Sequence, residues 1–427
     1  MKKGSKKQIG FGESTLGRGL KRGLLISAAC AFALLIRLAD THAERLNGEN
    51  ACSAPMQKAN ESASIEELRA LIEEIIEKID LDEWNEYLNE SRAEALELLH
   101  QDASSAADLI SEIAGVGVDA EPGSIFDLLV SAFIPKLKEN IPLISIILVI
   151  AVFGGLAGML FKDDGMDAPV KLALFSAAAL SSTAAFSTLA STANDAISTI
   201  CGFSEICAPP LAILLTACGC PESAAVLTPK LSLFASWISS LISGAVMPSL
   251  IISGILCVIG GVSEKLKLVG AVKLIHKLVK WVMGLATVIF GAVIIIGGSS
   301  AATLDGALFK GTKYAVDKLL PFGGGMLTGT VETVASGTLI VKNAVGTGGI
   351  IIAVLLIASP LLKLAGGVFA FRIASAVCEL FSNDARIKYM LDGIADTLSS
   401  IFAVCACSAA MPVLILGTAI SAGSAFL

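Results

Sequence analysis

The chain is predicted to be an all-α, polytopic helical membrane protein with a small acidic helical ectodomain near its N-terminus. Three observations predict this class. Hydrophobic residues fill 54% of 427 positions and charged residues only 16%, with a mean hydropathy of +0.77. A soluble core of that length needs more charge to cover it. Seven apolar stretches follow residue 140, most of them near the roughly 20 helical residues that cross about 30 Å of hydrocarbon. Charge is also segregated: residues 1–43 hold eight Lys and Arg against two acids, 44–140 seven against 22, and 141–427 16 against 14. The acidic block excludes nucleic acid as an expected partner, because phosphate binding needs the opposite sign.

Residues 1–43 read as an export signal. Seven basic residues from Lys2 to Arg22 precede the apolar run Leu24–Leu38, and Thr41-His42-Ala43 offers small residues for cleavage after Ala43. Arg37 interrupts the run late, so a retained signal anchor is the alternative. Either way, 44–140 is expected outside the cytoplasm. Ser64 and Glu67 form a capping-box pattern, followed by Ile65, Leu68, Ile72, Ile75, Ile76 and Ile79 at heptad-like spacing. A second amphipathic run places Trp84, Leu88, Ala95, Leu98 and Leu99 on one side. These runs predict a small helical domain, either a self-contained bundle or a docking surface for partner helices.

The apolar stretches of the membrane domain, 141–427, are 141–161, 169–190, 200–220, 232–262, 281–299, 347–371 and 394–424. If all seven span, the lysine-rich loop 263–280 falls outside, against the positive-inside tendency. A broken or re-entrant stretch at 200–220 removes the conflict. That stretch contains Glu205, the hinge candidates Pro209 and Pro210, and Gly219, and broken backbone is tolerated where protein or water surrounds it. The loop then faces the cytoplasm, beside anionic lipid or a partner. The ten cysteines lack metal or redox spacing and read as small hydrophobes.

Between two apolar stretches lies the polar, possibly re-entrant segment 298–349, with four lysines and three carboxylates among glycines. Charge at membrane depth is costly and tends to line water or pair with a partner. Asp305, Lys313 and Asp317 fall near one helical face, Lys310 lies on the same stretch, and Pro321 ends it. Gly323, Gly324 and Gly325 permit a reversal before Met326–Val341 runs back through Glu332 toward Lys342 and Asn343. Two readings stay open: a helix pair with its charges in headgroup water, or one lining an aqueous path or assembly seam with Lys342 and Asn343 at its rim.

Signatures of catalysis are missing. The three histidines have no metal-ligand neighbours, and neither HExxH nor GxSxG occurs. Where a Walker motif needs lysine, Thr330 follows Gly329. No cofactor, metal or catalytic residue is expected, and nucleotide hydrolysis falls to a partner. An intramembrane enzyme lacks a nucleophile and base pair that stand out.

Gly298, Ser300, Ala301, Asp305, Gly306, Lys310, Lys313, Pro321, Glu332, Thr333 and the run Lys342–Gly346 resemble the stage III sporulation protein AE family. That resemblance implies a non-enzymatic multipass protein of the mother-cell membrane around the forespore. It further implies a secretion-like channel complex needed for forespore development. The partners it implies are a cytoplasmic ATPase, small membrane proteins, ring-forming ectodomain proteins and a forespore partner, besides the lipid bilayer. A stand-alone secondary transporter with a substrate site at its broken helices is the alternative class, although no internal repeat is evident.

Overall fold

The computed structural model describes residues 84–87, several positions between 138 and 153, 167–262 apart from 219, 268–293, 324–381 and 385–421. The export signal, the capping box at Ser64, the lysines at 265 and 267, and Asp305, Lys310, Lys313, Asp317 and Gly323 lie outside the described residues. Ala54–Leu427 form one compact unit; the other, Met1–Ser53, is outside the description.

Every described element is helical, as composition and periodicity predict. In order these are α1 (Asp167–Ile206), α2 (Ala208–Ala217), α3 (Pro221–Leu241), a π-helical turn (Ile242–Val246), α4 (Met247–Val262), α5 (Val269–Val293), α6 (Gly324–Phe381) and α7 (Ala385–Ser421). Five stretches are long and apolar enough to cross a membrane: Leu172–Ala217, Pro221–Gly261, Val269–Val293, Leu339–Leu380 and Arg386–Thr418. The chain is a multipass membrane protein.

The breaks follow from proline chemistry. Pro209 and Pro210 have no N–H to give the carbonyls of Glu205 and Ile206, so α1 stops and α2 restarts with proline in its first turn, where no N–H is missed. At Pro248 the ring crowds the Gly244 carbonyl, and the helix answers one turn earlier by widening. There the Met247 N–H reaches back to the Ile242 carbonyl.

Three features of the chain differ from the pattern of apolar stretches. The stretches 169–190 and 200–220 belong to one run, Leu172–Ala217, interrupted only at Cys207. Likewise α6 begins at Gly324 and continues unbroken through 347–371, so the return helix after the glycines is also the next span. Glycine and β-branched residues weaken an isolated helix, but from residue 341 on α6 is packed in the bundle, with Val341, Ala344 and Val345 buried. Helix α5 starts at Val269 rather than near Trp281. Its first turns are amphipathic, with Val272, His276 and Val279 buried and Lys273 and Lys277 exposed.

Helix α7 is the centre of the bundle. It packs against α1, α2, α4 and α6, touches α5 through Thr397 and Cys407, and has no exposed residue among those described from Arg386 to Thr418. None of the eight described cysteines is in a disulfide, and seven are buried. Close approach is set by glycine: a Cβ on Gly254 of α4 would lie 2.3 Å from the Phe186 ring of α1.

Gly254→Ala is therefore expected to destabilise the purified chain by about 1–3 kcal/mol through overpacking, read as a lower thermal midpoint in detergent. Gly284→Ala, where nothing lies within 4 Å, is expected to leave the midpoint unchanged or raise it slightly.

Candidate functional site

The run Lys342-Asn343-Ala344-Val345-Gly346 lies on the inner face of α6, at the C-terminal end of α7. Lys342 is fully buried and donates from Nζ to the Ile420 carbonyl at 3.1 Å. The last four carbonyls of a helix have no intrahelical donor, and the end of the helix carries partial negative charge. Ile420 is in the final turn of α7, so the ammonium caps it. This explains how a lysine is held among Ala344, Val345 and Val341. One turn on, a Cβ on Gly346 would lie 2.4 Å from Ile420 Cγ1, and on Gly349 2.8 Å from the Trp84 ring and 2.9 Å from Leu416. Positions 342, 346 and 349 thus form one helical face on which a cation and two missing side chains receive the end of α7.

Trp84 completes this node. It is fully buried, tilts against Phe203 at a ring separation of 5.5 Å, and points Nε1–H at the Ile206 carbonyl, 3.5 Å away. That carbonyl is the one Pro210 leaves without a helical donor. Tyr87 lies edge-on to Phe203 at 5.8 Å, its hydroxyl over Gly202. A residue that periodicity places on the apolar face of a separate domain is therefore a core residue of the bundle, where the broken α1, α6 and α7 meet. Glu205, the carboxylate of the break, accepts from Ser236 of α3 at 3.1 Å.

Among the other residues singled out from sequence, Pro209 and Pro210 open α2, and Gly324, Gly325 and Glu332 lie in the first turns of α6. Asn343 follows Lys342 with its Oδ1 buried and without a hydrogen-bond partner among the described residues. Lys342 and Asn343 thus stand together inside the bundle.

A second polar cluster escaped sequence reading. Arg372 of α6 pairs with Asp392 at 3.5 Å and Asp396 at 2.5 Å, both on α7. Deeper in, Ser253 Oγ is 2.8 Å and Thr397 Oγ1 3.2 Å from His276 Nε2. The Thr397 hydroxyl also bonds the Gly393 carbonyl at 2.9 Å; with its single proton donated there, the hydroxyl accepts from the ring nitrogen. His276 joins residues 23 and 121 positions away, beyond any local pattern. The one local signal is its place on the buried side of an amphipathic turn.

Both clusters join helices. Gly349→Ala should push Trp84 out of its seat, and Trp84→Leu should make room for the added methyl. A coupling of about 0.5–3 kcal/mol between the two substitutions is expected, measured as non-additive shifts in thermal unfolding of the full chain in detergent.

A curated relative, stage III sporulation protein AE of Bacillus subtilis (strain 168), is 30% identical over 232 residues. The match spans 54% of this chain and 58% of the relative, so a little over half the relative's length is covered. No solved structure matches. The profile of the stage III sporulation protein AE family runs from residue 104 to 423, taking in α1 to α7 and the capping run on α6, and on that extent the chain belongs to the stage III sporulation protein AE family.

Proposed function

We propose that this chain is a non-enzymatic integral component of a secretion-like channel complex joining mother cell and forespore, and required for forespore development. What carries the reading is family membership over residues 104–423, which takes in α1 to α7, together with the seating of the run Lys342–Gly346 against the end of α7. In this reading the protein sits in the mother-cell membrane around the forespore. It acts with a cytoplasmic ATPase, small membrane proteins, ring-forming ectodomain proteins and a forespore partner. Energy enters through the ATPase, and this chain provides a membrane scaffold.

The orientation proposed from charge places 44–140 outside and 263–280 inside. Two contacts support it. Trp84 packs beside Gly349 and Leu416 near the C-terminal end of α7, whereas Gly261 packs on the Arg386 carbonyl at its N-terminal end. At 1.5 Å per residue those levels are about 45 Å apart, more than the roughly 30 Å of hydrocarbon. The segment 298–349 adds the polar contribution, with Asp305, Lys310, Lys313, Asp317, Glu332, Lys342 and Asn343 as the pore or assembly seam.

Purification of the tagged full chain from native membranes of sporulating cells tests this function. Stable recovery with the ATPase and small membrane proteins is expected; a lone protein with uptake activity would favour the transporter class instead. Alanine at Asp305, Lys313, Asp317 or Glu332 is expected to impair sporulation at normal protein levels, and charge reversal at Asp317 more so. Solvated surface pairs contribute only about 0–1 kcal/mol, so normal sporulation in every such variant would reject the seam.

A further inference from the structure

The outward face of α1 is hydrophilic at a level where α5 and α6 expose large apolar side chains, with Lys363 of α6 half-buried at the same height. Ser187, Thr188, Ser191, Asn194, Asp195 and Ser198 recur at helical spacing, and all are exposed. Between Leu180 and Ile213 no large hydrophobic residue is exposed on α1 or α2. The stripe lies within the candidate span Leu172–Ala217. Its level is set by contacts: Cys405 Sγ of α7 meets the Ala193 carbonyl at 3.8 Å, and two residues on, Cys407 meets Thr287 of α5 at 3.9 Å. On α5 that level exposes Leu285 and Val288, the latter 69% accessible. On α6, Gly367 packs on Leu189, and exposed Phe369 and Val354 bracket the same height. The stripe is therefore inside the apolar girdle rather than above or below it.

Hydroxyls on a helix can satisfy themselves on the preceding turn, as Thr188 does on the Ala184 carbonyl at 3.1 Å, so serine and threonine alone would tolerate lipid. An amide and a carboxylate side by side do not. Asp195 receives a hydrogen bond from Ser191 at 3.5 Å, which leaves most of its acceptor capacity open. Ionisable groups at membrane depth face a bundle interior or water, and this face is turned outward.

We propose that the Ser187–Ser198 face of α1 is wetted in the membrane, lining a water-filled path for water and small hydrophilic solutes. The residues differ from those of the segment 298–349, and the inference holds whichever assembly the chain joins. Single cysteines placed by Ser187→Cys, Ser191→Cys and Ser198→Cys, in a full-length cysteine-free parent in native membranes, are treated with a charged, membrane-impermeant thiosulfonate. Leu285→Cys and Val288→Cys serve as controls at the same height. Because the reacting thiolate forms in water and not in hydrocarbon, the α1 positions are expected to react at least about tenfold faster than the controls. Equal silence at all positions would overturn the inference, and so would equal reaction at all, since the level would then lie in bulk water. The same substitutions in the chain that keeps its native cysteines, with the parent's labelling subtracted, give the same reading if the cysteine-free parent is poorly made.

Discussion

Inside a packed helical bundle a buried carbonyl that loses its helical donor has no water to turn to, and three parts of this bundle are arranged around that constraint. Pro210 frees the Ile206 carbonyl, and the Trp84 indole N–H is brought to it. Pro248 crowds the helix between α3 and α4, and a π turn lets Met247 donate to Ile242. The end of α7 leaves its last carbonyls open, and Lys342 closes one of them. Two of the three donors come from distant parts of the chain. Those two repairs of local backbone are thus also tertiary contacts.

Helix association in a bilayer gains little from the hydrophobic effect, because lipid tails are as apolar as leucine, so packing and hydrogen bonds must supply it. The bundle uses both. Glycines at 254, 346 and 349 remove the side chain where a ring or an aliphatic branch of another helix must fit. Polar groups are concentrated where α7 meets α4, α5 and α6: His276 with Ser253 and Thr397, and Arg372 with Asp392 and Asp396. The ion pairs are partly accessible, which limits both their desolvation cost and their strength. Their value is in orienting α6 against α7.

A lysine at membrane depth reads equally as a pore residue or as a structural cation, and Lys342 donates to the Ile420 carbonyl at the end of α7. Its charge is held where the partial negative charge of a helix end offsets it. The water-facing character that the sequence suggests for 298–349 has a counterpart elsewhere, on α1, where Asn194 and Asp195 are exposed. Hydropathy averaged over a window hides such a stripe, since the buried apolar faces of the same helix dominate the mean.

What the sequence by itself determined is the part governed by composition, period and proline. The all-helical class, the multipass membrane character, the break at Pro209 and Pro210 and the family pattern all follow from local chemistry that each segment carries wherever it is placed. Only the tertiary structure decided that α7 is central, that Trp84 is a core residue of the bundle, and that the glycine-led helix at 324 and the span at 347 are one. It also decided that His276 joins Ser253 and Thr397 inside the bundle. The physical reason is that each of these depends on partners far away in sequence: an orphan carbonyl, a helix end or a missing Cβ marks where a contact is needed without naming the residue that fills it.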